Sequence, residues 1–190
     1  MRKQTKLVAV LSAAALLAMG ASMTSFAAGW EKDDAGVWHY YDSDDEMVTG
    51  EWKKDGGKWF YLDDDGNMLT DSWVDDDYYV AEDGHMLTNE WKKTVSDDDQ
   101  DDPDEDGENW YYFGSNGDMA TGWFKDNLNN WYYLTPAGAG TEGAMVTGWQ
   151  QIDGRWYYFN EKSDGFCGTM LSNTTTPDGY TVDGSGAWIQ

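Results

Sequence analysis

An all-β solenoid of stacked β-hairpins, behind an N-terminal secretory signal peptide, is the architecture expected of this 190-residue chain. Three observations point to it. An aromatic block recurs six times, polar and mostly glycine-bearing gaps separate the blocks, and helical periodicity is absent after the leader.

The leader comes first. Arg2, Lys3 and Lys6 form a positive n-region, and Leu7 to Met19 is an apolar run short for a bilayer span. Ser25-Phe26-Ala27 is a small-x-small cleavage signal, so residues 1–27 are expected to be removed and the product secreted. No second apolar run follows, and the mature chain is expected to have no transmembrane segment. The chain carries 12 Lys+Arg against 36 Asp+Glu, a formal charge of -24, and the leader takes cations with it. Such a charge excludes nucleic acid as a partner, because phosphate attracts clustered Lys and Arg and none is present. One cysteine, Cys167, rules out an internal disulfide framework.

The six units are expected over residues 28–173. Their blocks begin WHYY (38), WFYL (59), DYYV (77), WYYF (110), WYYL (131) and WYYF (156). A further tryptophan precedes each: Trp30, Trp52, Trp73, Trp91, Trp123 and Trp149. Trp and Tyr favour strands, and gaps such as KKDGGK (53–58) and QQIDGR (150–155) have hairpin spacing. A methionine follows each block, and the glycine before it supplies a second turn in most units (Gly66, Gly84, Gly117). One hairpin cannot hide its apolar face alone, so the units are expected to stack along an axis. Residues 174–190 read as a degenerate capping repeat. In it YTVDGSGAW (180–188) aligns with YYFGSNGDM (111–119) and places Trp188 at the methionine position.

Strand alternation separates the rings. Positions one and three of the block point one way, two and four the other. Position four is apolar throughout and is expected to form the core. Position three is Tyr in every unit and position one is Trp in five of six, which suggests a ligand surface. The alternative is that these rings only pack repeat on repeat. Converging rings hold a quaternary ammonium by cation–π attraction, and they also stack on sugars.

The pattern GW-x(n)-WYY-x(n)-G-x-M-x-TG resembles the choline-binding, or cell-wall-binding, repeats of Gram-positive surface proteins. Gly122-Trp123, Trp131-Tyr132-Tyr133 and Gly143-Ala144-Met145-Val146-Thr147-Gly148 carry the likeness. The resemblance implies a hairpin solenoid with ligand sites between consecutive hairpins, each made of two Trp, an aromatic from the next hairpin and a Met. On this chain it implies Trp30, Trp38 and Tyr61 with Met68, then Trp52, Trp59 and Tyr79 with Met86. It further implies Trp91, Trp110 and Tyr133 with Met145, and Trp123, Trp131 and Tyr158 with Met170. Asp77 breaks the third junction (Trp73, Tyr112), and Thr181 is expected to leave Trp149 and Trp156 without a third ring. The implied role is secreted, cell-wall-associated attachment to choline-bearing teichoic acid or polysaccharide. The family's glucan-binding members keep carbohydrate as the alternative.

An acidic insertion occupies residues 96–109. Asp102, Asp104, Asp106 and Gly107 match the first half of a calcium loop, but Phe113 stands where its Glu belongs. A solvated loop is expected, with weak Ca²⁺ binding as the alternative and no metal site otherwise. His39 and His85 are expected to face solvent. No catalytic motif and no cofactor motif is present, and no non-repeat region remains to build a catalytic pocket, so a non-enzyme is expected.

Overall fold

The structure, a computed structural model, describes residues 28–99 and 107–189. The expected signal peptide and Asp102, Asp104 and Asp106 lie outside the described residues. Seven antiparallel hairpins follow one another. They are β1 (Gly29–Lys32) with β2 (Trp38–Tyr41), β3 (Glu51–Asp55) with β4 (Lys58–Leu62), and β5 (Ser72–Val74) with β6 (Tyr78–Val80). Then come β7 (Glu90–Thr94) with β8 (Asn109–Phe113), β9 (Gly122–Lys125) with β10 (Trp131–Leu134), and β11 (Gly148–Ile152) with β12 (Arg155–Phe159). The last is β13 (Thr174–Thr175) with β14 (Thr181–Val182). The acidic insertion leaves β7 through one 3₁₀ turn, Asp97–Asp99.

The hairpin turns follow from local chemistry. Gly56 and Gly57 (φ 54° and 84°) and Asp153 and Gly154 (φ 49° and 79°) close two-residue turns. Positive φ at both central residues matches the right-handed twist of the flanking strands.

Among the described residues every sheet has only two strands, so something other than a ladder joins one hairpin to the next. A backbone bond from the methionine position does so at each junction, and Phe60 with His85 and Tyr157 with Ala187 add short antiparallel bridges at two of them. The Met68 amide donates to the Trp38 carbonyl at 2.8 Å, Met86 to Trp59 at 2.8 Å, and Met119 to Asp77 at 2.7 Å. Met145 donates to Trp110 at 2.8 Å, Met170 to Trp131 at 2.7 Å, and Trp188 to Trp156 at 2.8 Å. The methionine side chain then runs forward onto the glycine of the following unit. Met119 covers Gly143 and Met145 covers Gly168, each so closely that an added Cβ would lie 2.2 Å from the sulfur. The G-x-M signature is therefore a packing rule. Glycine leaves the room, and a flexible thioether fills it.

The core runs along the stack as a column of block-position-four residues. Leu62, Val80, Phe113, Leu134 and Phe159 are fully buried, and Val182 continues the column in the last hairpin. Each pairs in a short antiparallel bridge with the residue at the methionine position of its own unit.

Candidate functional site

The register within each hairpin places the first tryptophan opposite the position-three tyrosine. Trp30 faces Tyr40, Trp52 faces Tyr61, Trp123 faces Tyr133 and Trp149 faces Tyr158. These pairs meet edge to face with centroids 5.1–5.3 Å apart. Such pairs contribute about 0.5–1.5 kcal/mol beyond area burial. The position-three tyrosines thus brace the tryptophan of their own hairpin.

The ring that arrives from the next hairpin is at position two. Phe60 meets Trp30 at 5.1 Å, Tyr78 meets Trp52 at 5.5 Å, Tyr132 meets Trp91 at 5.0 Å and Tyr157 meets Trp123 at 5.0 Å. The family resemblance implies Tyr61, Tyr79, Tyr133 and Tyr158 there. The structure instead brings together Trp30, Trp38, Phe60 and Met68, and then Trp52, Trp59, Tyr78 and Met86. The fourth junction groups Trp91, Trp110, Tyr132 and Met145, and the fifth groups Trp123, Trp131, Tyr157 and Met170. The cause is parity. Side chains alternate along a strand, so a choice displaced by one residue selects the opposite face. Position two is the face each hairpin turns toward its predecessor.

The second tryptophan of each unit stays open to solvent. Trp38, Trp59, Trp110, Trp131 and Trp156 are all 39–40% exposed, a recurring half-open ring rather than a core residue. A lysine from the paired strand covers three of them. Lys32, Lys54 and Lys125 place their ammonium groups 5.4, 5.3 and 5.2 Å from the rings of Trp38, Trp59 and Trp131.

The third junction is closed. Trp73, Tyr79, Tyr111, Phe113, Leu87 and Ala144 form a buried cluster, with Tyr111 4.9 Å from Trp73. The Trp73 indole N–H donates to the Val95 carbonyl at 2.9 Å, and the Lys92 ammonium lies 4.9 Å from the Tyr79 ring. Asp77 stands where the second tryptophan would be. Partial burial and then the carboxylates of Glu142, Asp118, Asp76 and Asp75 hold its pKa above the usual carboxylate value. A raised carboxylate pKa means the fold prefers the protonated form. Stability from this group is present at low pH and is lost as pH rises through the folded-state value. Asp77→Asn is therefore expected to raise the melting midpoint at pH 7, with the gain vanishing below pH 3.8; thermal melts at the two pH values check this.

The sixth junction differs from the expectation in the other direction. Tyr180 supplies the missing ring, 5.8 Å from Trp149, and Trp188 takes the methionine place. Thr181, expected to leave this cage without a third ring, lies one residue along the strand from Tyr180 and so on the opposite face. No signal pointed to Asp178, whose carboxylate accepts the Trp149 indole N–H at 2.8 Å. In the first junction Asp55 accepts from Trp30 in the same manner at 3.3 Å.

Neither histidine is a free surface group. His39 is half-buried, with Nδ1 2.8 Å from the Gly66 carbonyl of the next unit and Nε2 3.5 Å from Asp33. His85 pairs with Asp83. Among the described residues no group of three or more His, Cys, Asp or Glu is arranged to hold a metal ion, and no helix is long and apolar enough to cross a membrane.

Stacked hairpins with half-open aromatic junctions define a repeat binding module. Family models described as choline-binding repeat match residues 46–85, 105–139 and 140–174, and one described as putative cell wall binding repeat matches 28–44. Choline binding protein F from Streptococcus pneumoniae, solved with a tetrasaccharide-pentapeptide peptidoglycan analogue, is 37% identical with a TM-score of 0.61. The match covers 86% of this chain and 47% of that one. CbpJ from Streptococcus pneumoniae is 36% identical with a TM-score of 0.61, over 85% of this chain and 48% of that one. The chain thus spans about half the length of the solved structures it matches. No curated protein matches. The chain belongs to the choline-binding, cell-wall-binding repeat family.

Proposed function

We propose that this chain is a secreted, non-enzymatic attachment protein that holds choline borne on cell-wall polymer such as teichoic acid. The observation that carries the reading is the repetition of one site. At five junctions the first tryptophan of one hairpin meets a ring of the next, while the second tryptophan, joined to the next unit through its backbone carbonyl, remains half-open. A quaternary ammonium has no N–H to satisfy, so ring faces alone can replace its hydration. Each favourable contact contributes about 0.5–2 kcal/mol. The net charge of -24 adds a long-range attraction for cations. Single cages of this kind hold weakly, and several engaging one polymer raise the overall avidity by about 10²–10⁴. Choline binding protein F, seen with a peptidoglycan analogue, is consistent with a wall polymer as partner.

Calorimetric titration with choline tests the reading. Saturable binding at millimolar choline is expected, with a change in tryptophan fluorescence. Trp131→Ala is expected to remove one site's share of the heat while the fold persists. No heat and no fluorescence change would sink the choline reading. Binding of an α-glucan instead would move the chain to carbohydrate attachment. Lower stability with unchanged binding in Trp131→Ala would reduce the rings to packing.

A further inference from the structure

A thioether seated on glycine closes every junction, and one of these sulfurs is open to solvent. At each of the six junctions a methionine side chain lies over a buried glycine of the following unit, from Met47 over Gly66 to Met170 over Gly186. Met47 is 41% exposed, whereas the other five methionines in the series are partly buried. Oxidation of methionine follows exposure, so the sulfur that closes the first junction is the one a small oxidant reaches most readily.

The seat of Met47 is tight. A Cβ on Gly66 would lie 2.8 Å from both its sulfur and its terminal methyl, so the thioether fills the place of the absent side chain. A second side chain of the first unit holds the same glycine, for His39 Nδ1 donates to the Gly66 carbonyl at 2.8 Å. The rest of the link is thin. Trp30 meets Phe60 and donates to Asp55 at 3.3 Å, Lys53 lies 4.3 Å from the Tyr40 ring, and the Met68 amide reaches the Trp38 carbonyl. No residue in either strand of the first hairpin is buried.

Oxidation would replace an apolar sulfur by a polar sulfoxide, whose oxygen needs a hydrogen-bond donor. The backbone around Gly66 has none to spare. The Asp65 and Asn67 amides donate to the Asp63 carboxylate at 3.0 and 2.7 Å, and the Gly66 amide donates to the Asp63 carbonyl at 2.9 Å. The Met68 amide is already taken by Trp38 at 2.8 Å. A sulfoxide oxygen turned onto Gly66 is left unpaired, and one turned out to water lifts the side chain from its seat.

We propose that Met47 is an oxidation site and that its conversion to the sulfoxide by a peroxide uncouples the first hairpin from the second. The sulfur lone pair attacks one peroxide oxygen and the O–O bond breaks. The sulfur is oxidised to the sulfoxide, the peroxide is reduced, and the departing hydroxide takes the proton and leaves as water. Enzymatic reduction of the sulfoxide restores the seat. The device does not depend on what the cages hold.

The full chain treated with hydrogen peroxide, with oxidation at each methionine followed by peptide mass spectrometry, tests the first half. Met47 is expected to oxidise about tenfold faster than Met119 or Met145. Hydrogen exchange read by NMR tests the second. In chain oxidised at Met47, exchange of the Met68 amide, which bonds across the first junction, is expected to rise about tenfold, while the Met170 amide at the fifth junction stays unchanged. Met47→Leu keeps an apolar side chain without an oxidisable sulfur, and its Met68 amide is expected to stay slow in peroxide. Met47→Gln, polar from the start, is expected to give fast exchange without peroxide. Equal oxidation rates at Met47, Met119 and Met145, or a Met68 amide that exchanges no faster after Met47 is oxidised, overturns the proposal.

Discussion

Trp73→Ala is expected to lower the stability of the stack by about 3–5 kcal/mol, the ordinary cost of emptying a buried large aromatic site. Trp73 looks like its counterparts in sequence but not in its surroundings. It is 4% exposed, packed edge-on by Tyr79 and Tyr111 and bonded through its indole to Val95. Truncation would leave a void among Phe113, Leu87 and Ala144, which belong to successive hairpins and cannot all collapse into it. Choline titration of this variant, at a temperature where it stays folded, should keep the other cages. Urea unfolding monitored by circular dichroism checks the first statement. A loss no larger than that of Trp131→Ala, which removes a ring 39% exposed, would show that the third junction is no more a core than the fifth.

Gly143→Ala is the second large effect. The glycine has φ 74°, and the new methyl would sit 2.2 Å from the Met119 sulfur. Left-handed backbone costs an ordinary residue about 1–2 kcal/mol, and displacing a packed side chain adds about 1–3 kcal/mol. The two contributions can be separated. Gly122 has φ 71° but nothing within 4 Å of its virtual Cβ, so Gly122→Ala carries the backbone part alone. Midpoints that fall equally for both variants would mean that Met119 moves aside freely. A larger fall for Gly143→Ala is expected.

The hairpins were legible because strand chemistry is local. Asp153-Gly154 and Gly56-Gly57 specify their turns without reference to the rest of the chain, and the apolar fourth position marked the core column from the second block onward, Tyr41 of the first being only partly buried. What was not legible is which face of a hairpin meets the hairpin before it. Alternation divides Tyr132 from Tyr133, but it does not say which of the two looks back toward Trp91. That is decided by the bond from the Met145 amide to the Trp110 carbonyl, a contact 35 residues apart that leaves no periodic trace. The same blindness hid Tyr180 and left the sixth cage open on paper. Asp178 was invisible for a further reason. In a chain with 36 acidic residues, no single carboxylate stands out until its partners are known.

The sparse backbone link between neighbours has a mechanical consequence. If the chain attaches as proposed, load passes through its junctions in series, each with its own strength. The first hairpin contains no fully buried residue, whereas the third and fourth share the buried Trp73 cluster. Under tension or heat the first hairpin is therefore expected to open before the third junction does. The fourth, fifth and sixth junctions lie beyond that point, so on the proposed function a polymer bound there would remain bound after the first two had opened.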